Sequence, residues 1–184
     1  MQLINLVTHN KNKVMEFKQI LEPNIIVRHI DLEYKEIKAD TNEKVASDSA
    51  KYLAKKLNKS IVVEDSGLFI TALNGFPGAC SAFVHKRIGL EGIIKLMKGI
   101  KSRECFYRSA VAYCEPNDMP IWFLGEEKGS ISKRVKGSFG FGHDPIFIPQ
   151  GSRLTYGEME NCIEIKKFRR TAVDKLRVCL CSKK

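Results

Sequence analysis

Thr8, Asn10 and Lys13 fall within one polar stretch, Thr8-His9-Asn10-Lys11-Asn12-Lys13, where a short apolar run gives way to a helical pattern. A hydroxyl, an amide, an ammonium and the N-terminal amides of a helix meeting at one turn are donors suited to a phosphate. The same turn is equally compatible with ordinary helix capping, and it is not a Walker A loop. Glu64-Asp65-Ser66-Gly67 follows a compact apolar run and offers a carboxylate to a hard cation, or else forms a turn. Glu36 lies in the acidic patch Asp31, Glu33, Glu36 and Asp40. Paired with Asp65 it would make a magnesium site; a solvated acidic loop is the alternative.

The later chemistry sits in Phe139-Gly-Phe-Gly-His-Asp144. Its glycines permit close approach, Phe141 offers a face for stacking on a base, and Asp144 can accept from ring N–H groups. A glycine-rich turn packing its own aromatics is the competing interpretation. Arg169-Arg170 present planar forks of donors to keto oxygens or phosphate, unless they are simply solvated. His9, His29, His85 and His143 share no ligand spacing, and neither His-Glu-x-x-His nor Gly-x-Ser-x-Gly occurs. Without a nucleophile and attendant base, hydrolysis by metal-activated water fits better than covalent catalysis.

The elements that must hold these groups follow from the apolar spacing. Gln2 to Val7 predicts a buried strand, and Val14, Phe17, Ile20 and Leu21 predict a helix ending before Pro23. Asn24 to Ile30 predicts a second strand; Glu43 to Leu57 predicts a helix with an Ala46, Ala50, Leu53, Ala54, Leu57 stripe and Thr41 as N-cap. Ser60 to Val63 is expected to be a strand stopping at Glu64, followed by the apolar run Leu68 to Leu73 and a turn at Asn74-Gly75. Leu90 to Met97 reads as helix, Cys105 to Tyr113 and Pro120 to Leu124 as neighbouring antiparallel strands, and Thr171 to Leu180 as a last basic helix. The class is α/β with a mixed sheet.

A chain of 184 residues allows one domain with enough length for a real core. Hydrophobic residues at 43% and charged residues at 28% disfavour disorder, collagen and coiled-coil rods, and no repeat or linker divides the chain. No segment approaches the roughly 20 apolar residues of a membrane span, so the expected address is cytoplasmic, with no membrane partner. The six cysteines form no Cys-x-x-Cys pair and are expected to be buried thiols. The formal charge of +10 is concentrated in residues 128–184, which carry 13 basic and five acidic side chains, so an anionic partner should meet that third.

Taken in order, Thr8-x-Asn10-x-x-Lys13, Glu64-Asp65-Ser66-Gly67-Leu68, Gly75-Phe76-Pro77-Gly78, Ser81, Phe141-Gly142-His143-Asp144-Pro145-Ile146-Phe147 and Glu158-Met159 resemble the inosine triphosphate pyrophosphatase, or Ham1-like, family across nearly the whole chain. The resemblance implies an elongated mixed central sheet with flanking helices, one domain over residues 1–184 with two lobes around a nucleotide cleft. It further implies a homodimeric, Mg2+-dependent house-cleaning enzyme that converts ITP, dITP or XTP to the monophosphate plus pyrophosphate, with no need for nucleic acid. By position, Thr8, Asn10 and Lys13 would hold the triphosphate, Glu36 and Asp65 the metal, and Ser66 the substrate beside it. Asp65 would also be the general base; Phe141, Gly142, His143 and Asp144 would wrap the nucleoside, with Phe141 stacking on the purine.

The chain departs from that pattern at its C-terminal end. The family carries a lysine and then Ser-His-Arg, whereas an ungapped match from Glu158-Met159 gives Glu164 and Phe168-Arg169-Arg170. Arg170 keeps the arginine, a one-residue shift would match Arg169 instead, and Lys166 or Lys167 could replace the missing lysine. His143 stands where the family has tyrosine or tryptophan, and Asp48 where it has a lysine that Lys44 or Lys51 could replace. The altered segment implies retained catalysis with changed selectivity between inosine and guanosine triphosphates. Competing expectations are a Maf-like pyrophosphatase of other base preference, a family member that binds without turnover, and a nucleic-acid-binding module using the basic charge.

Overall fold

The computed structural model describes residues 2–182. Strand β1 (Gln2–Val7) pairs in parallel with β2 (Ile25–Ile30), Gln2 opposite Ile25 through Val7 opposite Ile30, and with β3 (Ile61–Ile70), Asn5 opposite Ile61. Parallel neighbours need crossovers, and helices α1 (Lys11–Leu21) and α2 (Asn42–Leu57) supply them. Asn10 caps α1 by accepting from the amides of Asn12 and Lys13, and Thr41 caps α2 by accepting from Lys44.

Further on come β4 (Pro77–Gly78), α3 (Ser81–Leu96, with its helical path broken at Gly89), β5 (Glu104–Cys114) and β6 (Ile121–Ile131). The chain ends with β7 (Phe147–Pro149), the short α4 (Cys162–Ile165) and α5 (Lys167–Ser182). The strand order is β2-β1-β3-β5-β6-β7, with β4 antiparallel on β3 and β7 antiparallel on β6. The sheet is mixed, as the composition of alternating strands and helices implied.

By contacts the described residues form two compact units. The first holds the residues up to Asp65, Ser109–Gly125 and those from Phe168 onward; the second holds Ser66–Arg108 and Glu126–Lys167. In the first unit strand alternation splits the core cleanly. Ile4, Leu6, Val62, Val111 and Tyr113 pack with Phe17, Ile20 and Leu21 of α1 and Ala172, Val173 and Leu176 of α5. Val7, Ile61, Val63, Ala110, Ala112 and Cys114 pack with Ala46, Ala50, Leu53 and Ala54 of α2.

Two expectations are corrected. The strand expected to stop at Val63 continues unbroken to Ile70, because Leu68 to Ile70 are fully or nearly buried on the same strand and its polar middle is bonded from the neighbouring elements. Of the cysteines, Cys105, Cys114 and Cys162 are buried, but Cys80 and Cys181 are exposed and Cys179 is partly so; all six are free thiols.

Gly125, in β6, is where α5 docks closest. A Cβ there would lie 1.9 Å from the Phe168 carbonyl oxygen and 2.8 Å from the Ala172 nitrogen. Because both clashes are with helix backbone, Gly125→Ala should destabilise the protein by about 1–3 kcal/mol, measured as a lower urea midpoint.

Candidate active site

The alternation that divides the first core also divides two adjacent carboxylates. Glu64 continues the Val62 row toward α1 and α5, and Asp65 continues the Ile61 and Val63 row toward α2. Lys13, from the first turn of α1, places Nζ 2.7 Å from Glu64 Oε2 and donates to the Glu64 carbonyl at 3.0 Å. Arg169, from the first turn of α5 and only 1% exposed, donates Nε to Glu64 Oε1 at 3.1 Å and pairs through a terminal nitrogen with buried Glu16. Ser109 Oγ donates to the same Oε1 at 2.6 Å. Burial alone would raise the Glu64 pKa, but the charges of Arg169 and Lys13 override it and bring it down to about 2.

Asp65 has the opposite fate. Burial first, and then the charges of Glu64 and Glu36, push its pKa up to about 7 against the lowering by Lys13 and the hydrogen bond from Asn42. Asn42, fully buried at the start of α2, donates Nδ2 to Asp65 Oδ2 at 2.8 Å, while its own Oδ1 has no hydrogen-bond partner. Glu36 is exposed and accepts from the Tyr34 hydroxyl at 3.0 Å, whose pKa burial and Glu36 raise. Among the described residues no group of three or more His, Cys, Asp or Glu side chains forms a ready metal cage. The donors that do converge are all oxygens: a desolvated carboxylate, a second carboxylate close enough to perturb it, and an orphaned amide oxygen. That set fits a hard divalent cation that also takes ligands from a substrate.

The phosphate turn is more self-satisfied than its sequence suggests. Thr8 Oγ1 accepts from the Asn10 amide at 3.1 Å, and Asn10 Oδ1 takes the Asn12 and Lys13 amides at 2.9 and 3.3 Å. The N-cap already occupies two of the turn's amides, the ordinary capping that the sequence also allowed. What the turn does offer is Lys13, with no acidic residue in the first turn to oppose an anion.

The second unit holds the glycine loop. Asp144, 2% exposed, receives the Phe141 amide at 2.7 Å, Lys166 Nζ at 2.7 Å and the Tyr107 hydroxyl at 3.3 Å. At least three of its roughly four acceptor directions tie the loop down. Gly140 has a left-handed φ of +74°, and a Cβ there would sit 2.2 Å from Asp144 Oδ2, so this turn admits only glycine. Lys166, almost fully buried, also lies over the Phe141 ring at 4.3 Å from its centroid. It stands beside the two loop residues that matter, where Glu164 was the position matched by the family lysine. Ser66 and Gly142 belong to this unit and are partly exposed; Arg170, in the first unit, is partly exposed too.

The structure therefore brings Lys13, Glu36 and Asp65 together in the first unit and Phe141, His143 and Asp144 in the second. Arg169 joins neither as a surface fork. Sequence reading missed Glu16, Asn42, Ser109 and Tyr107, and the buried partnership of Glu64. One signal was present: Arg169 is in helical register with the apolar Ala172, Val173, Leu176 and Leu180, and Glu16 adjoins Phe17 on the stripe of α1.

His143 is buried edge-on against His85, with ring centroids 5.1 Å apart and no hydrogen-bond partner for Nε2. Burial and then the His85 charge lower its pKa from the usual 6.5 to about 4. The unfolded chain takes up this proton near 6.5 and the folded protein only near 4, so stability falls as pH drops through that window. The loss should be on the order of 3 kcal/mol, complete below about pH 4. Chemical unfolding followed from pH 7 to 4 should show it, and His143→Phe should remove that part of the slope.

Comparison with known proteins bears on the whole of this arrangement. Residues 4–178 match the Ham1 family. A dITP/XTP pyrophosphatase of Methanopyrus kandleri is 48% identical over 153 residues, covering 83% of this chain and 81% of that protein. One from Methanosarcina mazei is 41% identical over 177 residues, 95% of each. The solved Ham1 protein of Staphylococcus aureus superposes over 100% of both chains with a TM-score of 0.84 at 28% identity. With family match, relatives and fold in agreement over nearly every residue, the chain belongs to the Ham1 family.

Proposed function

We propose that the protein hydrolyses deaminated purine nucleoside triphosphates, ITP, dITP and XTP, to the monophosphate and pyrophosphate. The observation that carries this reading is the placement of Lys13, held by Glu64, beside Asp65, a half-buried carboxylate held by Asn42 whose pKa is pushed up to about 7, which suits a general base at neutral pH. The names of the relatives, dITP/XTP pyrophosphatases at 40–48% identity, support the same substrate class.

On this reading Lys13 takes a phosphate oxygen, with Thr8, Asn10 and Ser66 completing the contacts, and its charge offsets that of the triphosphate. Asp65 accepts the proton of a water whose oxygen attacks the α-phosphorus; the bond from that phosphorus to the bridging oxygen breaks, and pyrophosphate leaves with the electron pair. Glu36 and Asp65 would hold Mg2+, which when bound neutralises phosphate charge and draws the reacting groups into line. Asn42 fixes the carboxylate of Asp65 through its Oδ2, leaving the other oxygen to the chemistry.

The second unit serves the base. Phe141 supplies a stacking surface, Gly142 and His143 the wall of the loop, and Asp144 its anchor. Stacking cannot separate hypoxanthine from adenine, so donors must be aimed at the 6-keto oxygen. Lys166, whose buried ammonium donates to Asp144 and lies beside Phe141, is our candidate for that donor and for the lysine absent at Glu164. Arg170, half-buried on α5, is the remaining base-reading arginine. We further propose one domain over residues 1–184 with two lobes, a homodimer, and a cytoplasmic address; no helix of the described residues is long and apolar enough to cross a membrane.

The test is to supply Mg2+ with ITP, XTP, GTP and ATP in parallel and measure pyrophosphate, orthophosphate and monophosphate. Pyrophosphate with equimolar monophosphate from ITP and XTP is expected; orthophosphate alone, or no release, overturns the reading. Asp65→Asn should lose turnover by at least about a thousandfold. The same variant should be more heat-stable than wild type in chelator at pH 8. The Asp65 carboxyl ionises near 3.8 unfolded but near 7 folded, so its contribution is lost as pH rises through 7 and the amide escapes that cost. The gain in Tm should vanish near pH 4.

Lys166→Gln, which can still donate to Asp144, should lower kcat/KM for ITP about tenfold or more while leaving that for ATP nearly unchanged. Parallel steady-state kinetics with the two nucleotides check it.

A further inference from the structure

Arg169 sits where the resemblance placed a base-reading group, yet everything it touches points elsewhere. Its Nε donates to Glu64 Oε1 at 3.1 Å, a terminal nitrogen pairs with Glu16, and the side chain is 1% exposed. Glu16 and Lys13 lie one turn apart on α1, while Glu64 adjoins Asp65 on β3. The four groups form one chain of alternating charge, Glu16 to Arg169 to Glu64 to Lys13, drawn from α1, α5 and β3.

The geometry of Glu64 makes this chain directional. Its two carboxylate oxygens are divided: Oε1 accepts from Arg169 Nε and from Ser109 Oγ at 2.6 Å, and Oε2 meets Lys13 Nζ at 2.7 Å. The Glu64 carbonyl also accepts a hydrogen bond from Lys13 Nζ at 3.0 Å. An ion pair to the side chain and a hydrogen bond to the backbone of one residue thereby fix where the ammonium sits. Arginine suits this task because its planar fork spans two carboxylates at once, which a lysine cannot do with the same rigidity.

We propose that Arg169 is a positioning residue for triphosphate binding: through Glu64 it sets the place of Lys13, and it does not read the base. The proposal rests on the function proposed above for Lys13, and deepens it. Replacing Arg169 by lysine keeps a positive charge but gives up the two-carboxylate span. Glu64 is then free to turn, and Lys13 follows it.

The test uses Arg169→Lys with two probes. For ITP and GTP, the variant should raise KM about tenfold for both, change kcat by less than about threefold, and leave the ratio of their kcat/KM values within about twofold of wild type. Titration calorimetry with inorganic tripolyphosphate, which has no base, should show the same weakening of about tenfold. An altered ITP to GTP ratio with unchanged tripolyphosphate affinity would make Arg169 a base reader and overturn the proposal, as would unchanged values of both. If wild type hydrolyses no nucleotide, the proposed function fails, while the tripolyphosphate titration still decides the role of Arg169. Should Arg169→Lys not fold by circular dichroism, Ser109→Ala removes one clip on Glu64 Oε1, and a loss of about two- to threefold in tripolyphosphate affinity is expected; no loss overturns the proposal.

Discussion

Two carboxylates on consecutive residues of a strand cannot share an environment, and the first unit is organised around that constraint. The pleat sends Glu64 to the face covered by α1 and α5 and Asp65 to the face covered by α2. On the first face Arg169, Lys13 and Ser109 meet the charge and hold it ionised. On the second, Asn42 alone donates directly from a side chain, and burial pushes the proton affinity up. Burying ionised Glu64 costs several kcal/mol unless its partners are well placed, so α1, β3 and α5 are held in register by the same contacts that keep the charge. The raised proton affinity of Asp65 goes with having fewer charged partners than its neighbour.

The second unit solves a similar problem with a loop. A stretch with glycines at 137, 140 and 142 has little intrinsic order, and each left-handed position would be cheap to unfold. Asp144 imposes the order by receiving the loop's own amide at Phe141 together with Lys166 and Tyr107. Tyr107 pays nothing in charge, since burial and Asp144 keep its hydroxyl protonated and donating. Phe141 is thus presented on a turn ordered by a buried ion pair.

Much of this was legible in the residues. The cap at Thr41, the stripe of α2 and the strand before it follow from spacing alone, and they appear where expected. The continuity of β3 was not legible, because a Glu-Asp-Ser-Gly run reads as a turn until the partners that bury it are known. Those partners are remote in sequence: Lys13 is 51 residues from Glu64 and Arg169 is 105. Periodicity reports which face a residue occupies, but the last helix was expected only from Thr171, two residues after Arg169, and the arginine's chemistry invited a surface role. Asn42 was hidden for the opposite reason, as a polar residue at a helix start ordinarily needs no tertiary partner.

The departures at the C-terminal end make sense together once the burial is known. An ungapped match had put Glu164 in the place of the family lysine and Arg170 in that of its arginine, with Arg169 matched only by a one-residue shift; the structure puts an ammonium at Lys166 beside Phe141 and Asp144, and commits Arg169 to Glu64 and Glu16. On the proposed function the two halves of recognition are then separate in the chain as well as in chemistry. Stacking on Phe141 contributes affinity to any purine, whereas rejecting adenine requires buried donors that its amino group leaves unpaired, a penalty of about 1–3 kcal/mol for each donor. A single lysine provides that for the 6-position and nothing for the 2-position. Separating inosine from guanosine must therefore rest on groups other than Lys166.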